Sequence, residues 1–137
     1  MDKQSFSTNK SNSPYKLWLN QALDDLSWTK SNLNEKVWYG ACFTAQQTVE
    51  KALKAYLIHQ GKTVKKVHDL GALLQECINI ESEFETLREA CATLTDYYAP
   101  ARYPDIGEFM EFSEESAKQA YEFAEKIVSF VEKKLSI

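Results

Sequence analysis

The residues of this chain that could do chemistry fall in two stretches of sequence. In the first, no acid occurs between positions 51 and 68, while lysines recur and a histidine closes the run: Lys51, Lys54, Lys62, Lys65, Lys66 and His68. Ammonium groups at one surface can neutralise the phosphates of a nucleotide or of RNA. This stretch predicts a phosphate-binding edge at Lys51, Lys54 and His68. An ordinary solvated surface, with His68 bonded locally at a helix start, is the alternative.

The second stretch surrounds Arg102, one of only two arginines in the chain. Tyr98 and Tyr103 flank it, and Pro100 and Pro104 stiffen the same segment. A guanidinium can bind phosphate through two parallel hydrogen bonds, and tyrosine rings can stack on bases. Tyr98, Arg102 and Tyr103 are therefore predicted nucleotide contacts. The alternative is a salt bridge from Arg102 to a nearby acid such as Asp105.

Several other chemistries lack the residues that they require. His59 and His68 are the only histidines, and no two cysteines have the spacing of metal ligands, so no metal site is expected. The sequence contains neither a glycine-rich phosphate loop nor a nucleophile elbow, and no cofactor is expected. The cysteines are three in number and lie among apolar residues, which favours buried, reduced thiols and a cytoplasmic location.

Length and composition indicate one domain. The chain has 137 residues, of which 44% are hydrophobic, enough for a single core. A formal net charge of -4 excludes a protein that coats nucleic acid or an anionic membrane by net charge alone. No apolar run approaches the roughly 18 residues of a membrane span. Residues 1–13 are rich in Ser, Asn and Lys and are predicted to be a disordered tail before a domain over 14–137.

The spacing of apolar residues predicts an all-α fold. Ser13 and Pro14 are typical of a helix N-cap and first turn, and Ser113 is a second candidate cap. Between them the 3-4 periodicity predicts three further helices, at about 36–59, from His68 and Asp69 onward, and at about 83–98. No alternation typical of strands has useful length. The prediction is an up-and-down bundle of four to five helices.

The second predicted helix carries apolar residues on more than one side. Its predicted core arc consists of Trp38, Ala41, Cys42, Ala45, Val49, Ala52, Leu53 and Tyr56. About 100° from this core arc lies another arc that mixes aromatic, polar and aliphatic side chains: Tyr39, Phe43, Gln46, Glu50 and Leu57. Neither a solvated face nor a simple core favours such a mixture. We therefore predict that this arc is an interface.

Three segments together resemble one known family. They are residues 41–55 (ACFTAQQTVEKALKA), the tripeptide His68-Asp69-Leu70, and the loop from Tyr97 to Asp105. In order and spacing they resemble the HEPN domain, a small prokaryotic helical bundle. The resemblance implies a symmetric homodimer. It also implies a minimal nucleotidyltransferase as partner, in a pair of toxin-antitoxin type, and a nucleotide-binding role.

Ribonuclease members of that family use an arginine and a histidine separated by four to six residues. Here the corresponding positions hold Gly107, Glu108 and Phe109 after Arg102, and Thr93, Leu94 and Thr95 after Arg88. The missing histidine favours a non-catalytic module that binds a nucleotide or RNA phosphate. The alternative is a divergent, metal-independent ribonuclease toxin. In it Arg102 would stabilise the phosphate, His68 would move the proton, and Tyr98 or Tyr103 would orient the base. A purely structural, assembly-forming role is a third hypothesis.

Overall fold

A computed structural model of the chain describes residues 13–64, 66–98 and 112–135. Over these ranges the chain forms five α-helices and one short 3-10 helix, and no strand. They are α1 (Pro14–Asn34), α2 (Trp38–His59), α3 (Leu70–Ile80), the 3-10 helix η1 (Ser82–Leu87), α4 (Arg88–Thr95) and α5 (Glu114–Lys134). The predicted all-α bundle is confirmed.

Helices α1 and α2 form an antiparallel hairpin. Near the turn, the Thr29 hydroxyl donates to Oγ1 of Thr44 over 2.7 Å, and at the far end the rings of Tyr15 and His59 are 4.7 Å apart. Lys36, in the turn, has a φ of 62°. A left-handed residue cannot continue a right-handed helix, so α2 begins at Trp38 and not at the predicted position 36.

Helix α2 forms the centre of the core and packs against α1, α3, α4 and α5. Its predicted core arc is buried, apart from Trp38, which is half-buried. The buried members are Ala41, Cys42, Ala45, Val49, Ala52, Leu53 and Tyr56. Neighbouring helices therefore cover α2, which has 22 residues, along most of its length. Polar side chains of α2 that lie between these core residues are also buried, in contact with other elements.

The start of α3 is held at two points. Oδ1 of Asp69 accepts hydrogen bonds from the backbone N–H groups of Gly71, at 2.9 Å, and Ala72, at 3.3 Å. The N–H of Leu70 donates to Oγ1 of Thr95 at the end of α4, at 3.0 Å. These bonds satisfy donors that a helix start would otherwise leave unpaired. His68, immediately before the cap, therefore stands on a well-positioned backbone.

The predicted fourth helix over 83–98 is wrong in its details. Residues Ser82–Leu87 form the 3-10 helix and the α-helix extends only over Arg88–Thr95. Phe84 and Leu87 are both buried, and their spacing of three suits a 3-10 turn, in which side chains at i and i+3 eclipse. Apolar spacing alone does not separate the two helix types over six residues.

The last helix agrees with its prediction. Ser113 caps α5, and its hydroxyl accepts from the N–H of Ser116 at 3.0 Å. Residues 1–12 of the predicted tail and residues 99–111, which include Pro100 and Pro104, lie outside the described residues. None of the helices in the described ranges has both the length and the hydrophobicity that crossing a bilayer requires.

Candidate functional site

His68 lies at the surface but is anchored to a buried carboxylate. Its Nδ1 atom is 3.0 Å from Oε1 and 3.1 Å from Oε2 of Glu50, which α2 contributes. The His68 side chain is 43% exposed, whereas that of Glu50 is 6% exposed. Because a carboxylate only accepts hydrogen bonds, Nδ1 carries a proton and donates it to Glu50. The imidazole is thus oriented from inside the bundle.

The carboxylate of Glu50 has two further partners on its own helix. Nζ of Lys54 lies 2.8 Å from Oε2, and Nε2 of Gln46 lies 3.4 Å from Oε1. The same Gln46 amide donates to the backbone oxygen of His68 at 3.2 Å. Gln46, Glu50, Lys54 and His68 are called the Glu50 cluster below. A buried charge needs such partners, because burial without them costs several kcal/mol.

Tyr98 completes the surface around His68. The two rings are stacked, with centroids 4.2 Å apart and planes 16° from parallel. Tyr98 follows α4, whereas His68 precedes α3, so the structure brings together two predicted site residues from separate segments. Within the described residues, Nε2 of His68 has no hydrogen-bond partner. A ligand can therefore reach the edge of a ring whose other nitrogen is already engaged.

The two predicted phosphate-binding lysines of α2 make ion pairs within the chain. Nζ of Lys51 lies 2.7 Å from Oδ2 of Asp25 on α1. Lys54 is only 4% exposed, and besides its bond to Glu50 its ammonium lies 5.4 Å from the centre of the Trp18 ring. In this arrangement Lys54 has almost no surface to offer a phosphate.

The remaining predicted contacts cannot be placed relative to His68. Arg102 and Tyr103 lie outside the described residues, as does Lys65. Arg102 follows Tyr98 by four positions in the sequence. Its contribution to the site therefore stays a prediction.

In the structure, the arc predicted to be an interface contains both buried and exposed side chains. Gln46, Glu50 and Leu57 are buried inside the chain itself, at 0%, 4% and 1% exposure. Tyr39 is exposed and Phe43 half-buried, and the Tyr39 ring contacts that of Phe112 at 5.2 Å. Two polar members of the arc, Gln46 and Glu50, meet the segment before α3, which explains their position without a partner protein.

Sequence reasoning missed Lys54 as a structural residue. Glu50 and Lys54 are four positions apart on one helix, which is the spacing of an intrahelical ion pair. That signal was present in the sequence. The lysine-rich context favoured a surface role instead, and nothing local shows that Trp18 covers this part of α2.

The geometry suits hydrogen bonding or proton exchange at one atom. With Nδ1–H bonded to a carboxylate, the imidazole presents Nε2 as its free nitrogen, an arrangement found in many acid-base sites. Across the described residues, no three or more His, Cys, Asp or Glu side chains are grouped so that they could hold a metal ion. His68 and Tyr98 form the candidate site among the described residues.

Comparison with known proteins places the chain in a family. The model of the HEPN domain matches residues 15–134, whereas no curated protein matches significantly. Among solved structures, TT1696 from Thermus thermophilus is 32% identical, with a TM-score of 0.74 over 88% of this chain and 97% of that one. ST0689, described as an archaeal HEPN homologue, is 27% identical, with a TM-score of 0.73 over 89% and 98% of the two chains.

A third similar structure comes from another bacterium. A HEPN-domain protein of Thermotoga maritima is 30% identical, with a TM-score of 0.70 over 87% of this chain and 97% of that one. The family model covers well over half of the sequence, and the solved structures share its fold along nearly their whole length. The chain belongs to the HEPN-domain family.

Proposed function

We propose that this HEPN-domain protein is a cytoplasmic binding module that holds a nucleotide or a segment of RNA against His68 and Tyr98. The observation that carries the proposal is the anchored, stacked and exposed imidazole. A side chain needed only for packing does not require a buried carboxylate to orient its outer edge. Aromatic and imidazole rings at a surface are also the groups on which nucleobases stack.

Arg102 is the proposed phosphate contact of this module, with Tyr103 beside it. It is the arginine nearest to Tyr98 after α4 in the sequence, and its guanidinium cannot lose its charge. Lys51 and Lys54 are assigned to internal ion pairs instead. Binding then depends on few cations, which suits a chain with a net charge of -4 and predicts a shallow dependence of affinity on salt.

The test compares affinities for one short single-stranded RNA, measured by fluorescence anisotropy. His68→Ala and Tyr98→Ala are each expected to weaken binding about tenfold or more, because each removes a ring from the proposed surface. His59→Ala is the matched control, since it removes the other exposed histidine, which contacts Tyr15 instead. Equal affinity in all four proteins would contradict the proposed site.

We also propose that the module is a homodimer that docks a minimal nucleotidyltransferase, as family membership suggests. Large apolar side chains are exposed on the hairpin: Leu17, Trp28, Val37 and Tyr39. Leu17 and Trp28 are eleven positions apart, about three helical turns, so they lie on one side of α1. Paired exposed apolar side chains of this size support an interface there.

Two measurements address assembly separately. Light scattering after gel filtration is expected to give a dimer mass at micromolar concentration, and Trp28→Ser is expected to reduce it. Glu122→Ala, an exposed change on α5, is the control. A monomer at that concentration overturns the dimer. Coexpression with a nucleotidyltransferase encoded next to this chain tests the partner, and failure to coelute contradicts it.

A ribonuclease is the second candidate, and one observation favours it. The Glu50 carboxylate holds the His68 imidazole in the orientation that a general acid or base needs, despite the missing arginine-histidine motif. Cleavage of RNA in the presence of a chelator, lost in both His68→Ala and Arg102→Ala but kept in His59→Ala, would support catalysis. Intact RNA after prolonged incubation with wild-type protein would contradict catalysis, and only the binding function would stand.

A further inference from the structure

The solvent side of α1 carries a narrow stripe of exposed side chains, which we call the α1 stripe: Leu17, Gln21, Asp24 and Trp28. Successive members are separated by four, three and four positions, so they stay within about 60° of one another around the helix. The buried residues of the same helix, Leu19, Ala22 and Thr29, lie on its opposite side. The α1 stripe therefore faces away from the bundle.

The two ends of the α1 stripe are apolar and its centre is polar. Leu17 is 50% exposed and Trp28 is 59% exposed. Gln21 and Asp24 lie between them, and neither has a hydrogen-bond or ion-pair partner in the described part of the chain. Burying a Trp side chain removes roughly 150–250 Å² of surface from water. The α1 stripe thus offers apolar contact area at both ends and unused polar groups in the middle.

A second copy of the same helix complements this order of side chains. Alternating separations of three and four are typical of the contact seam between two paired helices. When two copies lie antiparallel about a two-fold axis between residues 22 and 23, Leu17 meets the partner subunit's Trp28. Gln21 then meets the partner subunit's Asp24, so an amide donor faces a carboxylate acceptor. The two-fold axis repeats both contacts.

Parallel pairing of the same two helices lacks this complementarity. It places every residue opposite its own copy, so Asp24 faces the partner subunit's Asp24. Like charges repel each other, more strongly where the contact excludes water. The charge pattern of the α1 stripe therefore favours the antiparallel orientation.

We propose that two copies of this chain pair antiparallel through the α1 stripe, with Leu17 against the partner subunit's Trp28 and Gln21 donating to the partner subunit's Asp24. This inference rests on the proposed homodimer, since it names the surface and the orientation through which the copies meet. The polar pair in the middle fixes the register, as a single polar residue does in the seam of a coiled coil.

Gln21→Lys separates the two orientations, because it is expected to strengthen one and weaken the other. In the antiparallel dimer the introduced ammonium meets the partner subunit's Asp24 at two places. The dissociation constant, measured by analytical ultracentrifugation at low salt, should fall about three- to tenfold. In a parallel dimer the two introduced ammonium groups would face each other. Gln119→Lys is the matched control, since it makes the same change at an exposed position of α5 and should leave the dissociation constant unchanged.

Two further variants test the contacts themselves. Gln21→Lys/Asp24→Lys brings like charges together in the antiparallel dimer and is expected to weaken it below the wild type. Trp28→Ala is expected to weaken it about thirtyfold or more, because the interface contains this side chain twice. All three changed positions are exposed in the protomer, so folding is expected to survive each variant.

Spin labels on Asn34→Cys measure the orientation directly. Asn34 is exposed at the last residue of α1, and the three native cysteines are buried. Antiparallel pairing separates the two labels by more than about 30 Å, whereas parallel pairing leaves them within about 20 Å.

The outcomes distinguish this inference from the proposed homodimer. A dimer that Gln21→Lys weakens, or labels within about 20 Å, overturns antiparallel pairing. A dimer that Trp28→Ala leaves intact forms through another surface, so the inference fails while the homodimer stands. A wild-type protein that stays monomeric at micromolar concentration overturns both.

Discussion

The Nδ1 atom of His68 lies 3.0 Å from a carboxylate oxygen of Glu50, although eighteen positions separate the two residues in the sequence. This contact joins the surface before α3 to the buried middle of α2. The orientation of the exposed His68 imidazole therefore depends on the buried charged pair of Glu50 and Lys54.

Lys54→Met is expected to lower the free energy of unfolding by about 3 kcal/mol, because it leaves the buried Glu50 carboxylate without its ammonium partner. Urea denaturation followed by circular dichroism measures the change. Lys118→Met is the matched control, since Lys118 pairs with Glu114 at the same spacing on an exposed face. The control should change stability by less than about 0.5 kcal/mol.

The double variant Glu50→Gln/Lys54→Met tests whether the two side chains act together. It is expected to lose less stability than the sum of the single variants, because each single change strands the other partner. A double-mutant cycle in urea gives the coupling. Strict additivity would show that the buried pair does not stabilise the fold as a unit.

Tyr56→Phe is expected to destabilise the junction between α3 and η1 by roughly 2 kcal/mol, since the buried phenol donates a hydrogen bond to Glu81. That hydrogen bond, helped by Lys134, holds the pKa of Glu81 below its usual 4.5. A lowered carboxyl pKa stabilises the fold above that value, and the effect is lost as the pH falls through the folded-state pKa.

The difference in stability between wild type and Tyr56→Phe should therefore shrink when urea unfolding is repeated at pH values below about 4. Tyr121→Phe serves as the control, because its hydroxyl bonds Glu125 on an exposed helix face. A difference that stays constant down to the acid limit would mean that the hydrogen bond to Glu81 is not responsible.

The thiols are expected to resist modification in the folded protein. Cys42, Cys77 and Cys91 are all buried, and burial raises the pKa of Cys77 well above its usual range and that of Cys91 to about 12. The reactive thiolate is therefore scarce at neutral pH. A thiol-reactive dye should label the native protein slowly and all three cysteines in denaturant. Rapid labelling of the native protein would contradict this packing.

Gly61→Ala is expected to cost about 1 kcal/mol in stability, because Gly61 has a φ of 82° and a side chain there is strained. A Cβ atom at that position meets nothing within 4 Å, so the loss reflects backbone conformation alone. Lys36→Gly is the converse variant, since Lys36 already occupies the left-handed region. Thermal unfolding should show the first variant less stable and the second at least as stable as the wild type.

Helix positions were largely predictable because local rules set them. Pro14 starts α1, Ser113 caps α5, and the apolar arc of α2 is the one that is buried. Two boundaries were missed for physical reasons that spacing does not reveal. Lys36 adopts a left-handed turn, and Phe84 and Leu87 pack as a 3-10 helix. Both depend on how neighbouring helices fit together.

The candidate site was predictable only in part. His68 and Tyr98 were identified from residue type, and the fold brings their rings together. The partnership of His68 with Glu50 depends on tertiary structure, so no local pattern could indicate it. Lys54 belongs to a lysine-rich stretch that predicts a ligand contact, whereas Trp18 and Glu50 enclose it in the structure.

The proposed function depends most on contact between the ligand and the surface formed by His68 and Tyr98. The direct measurement is a titration of the wild-type protein with a short single-stranded RNA, followed through the imidazole carbon-bound proton signals. With only two histidines, each signal can be assigned through its alanine variant. We expect the His68 signals to shift saturably while those of His59 stay in place. Saturable binding that leaves the His68 signals unmoved would contradict the proposed site.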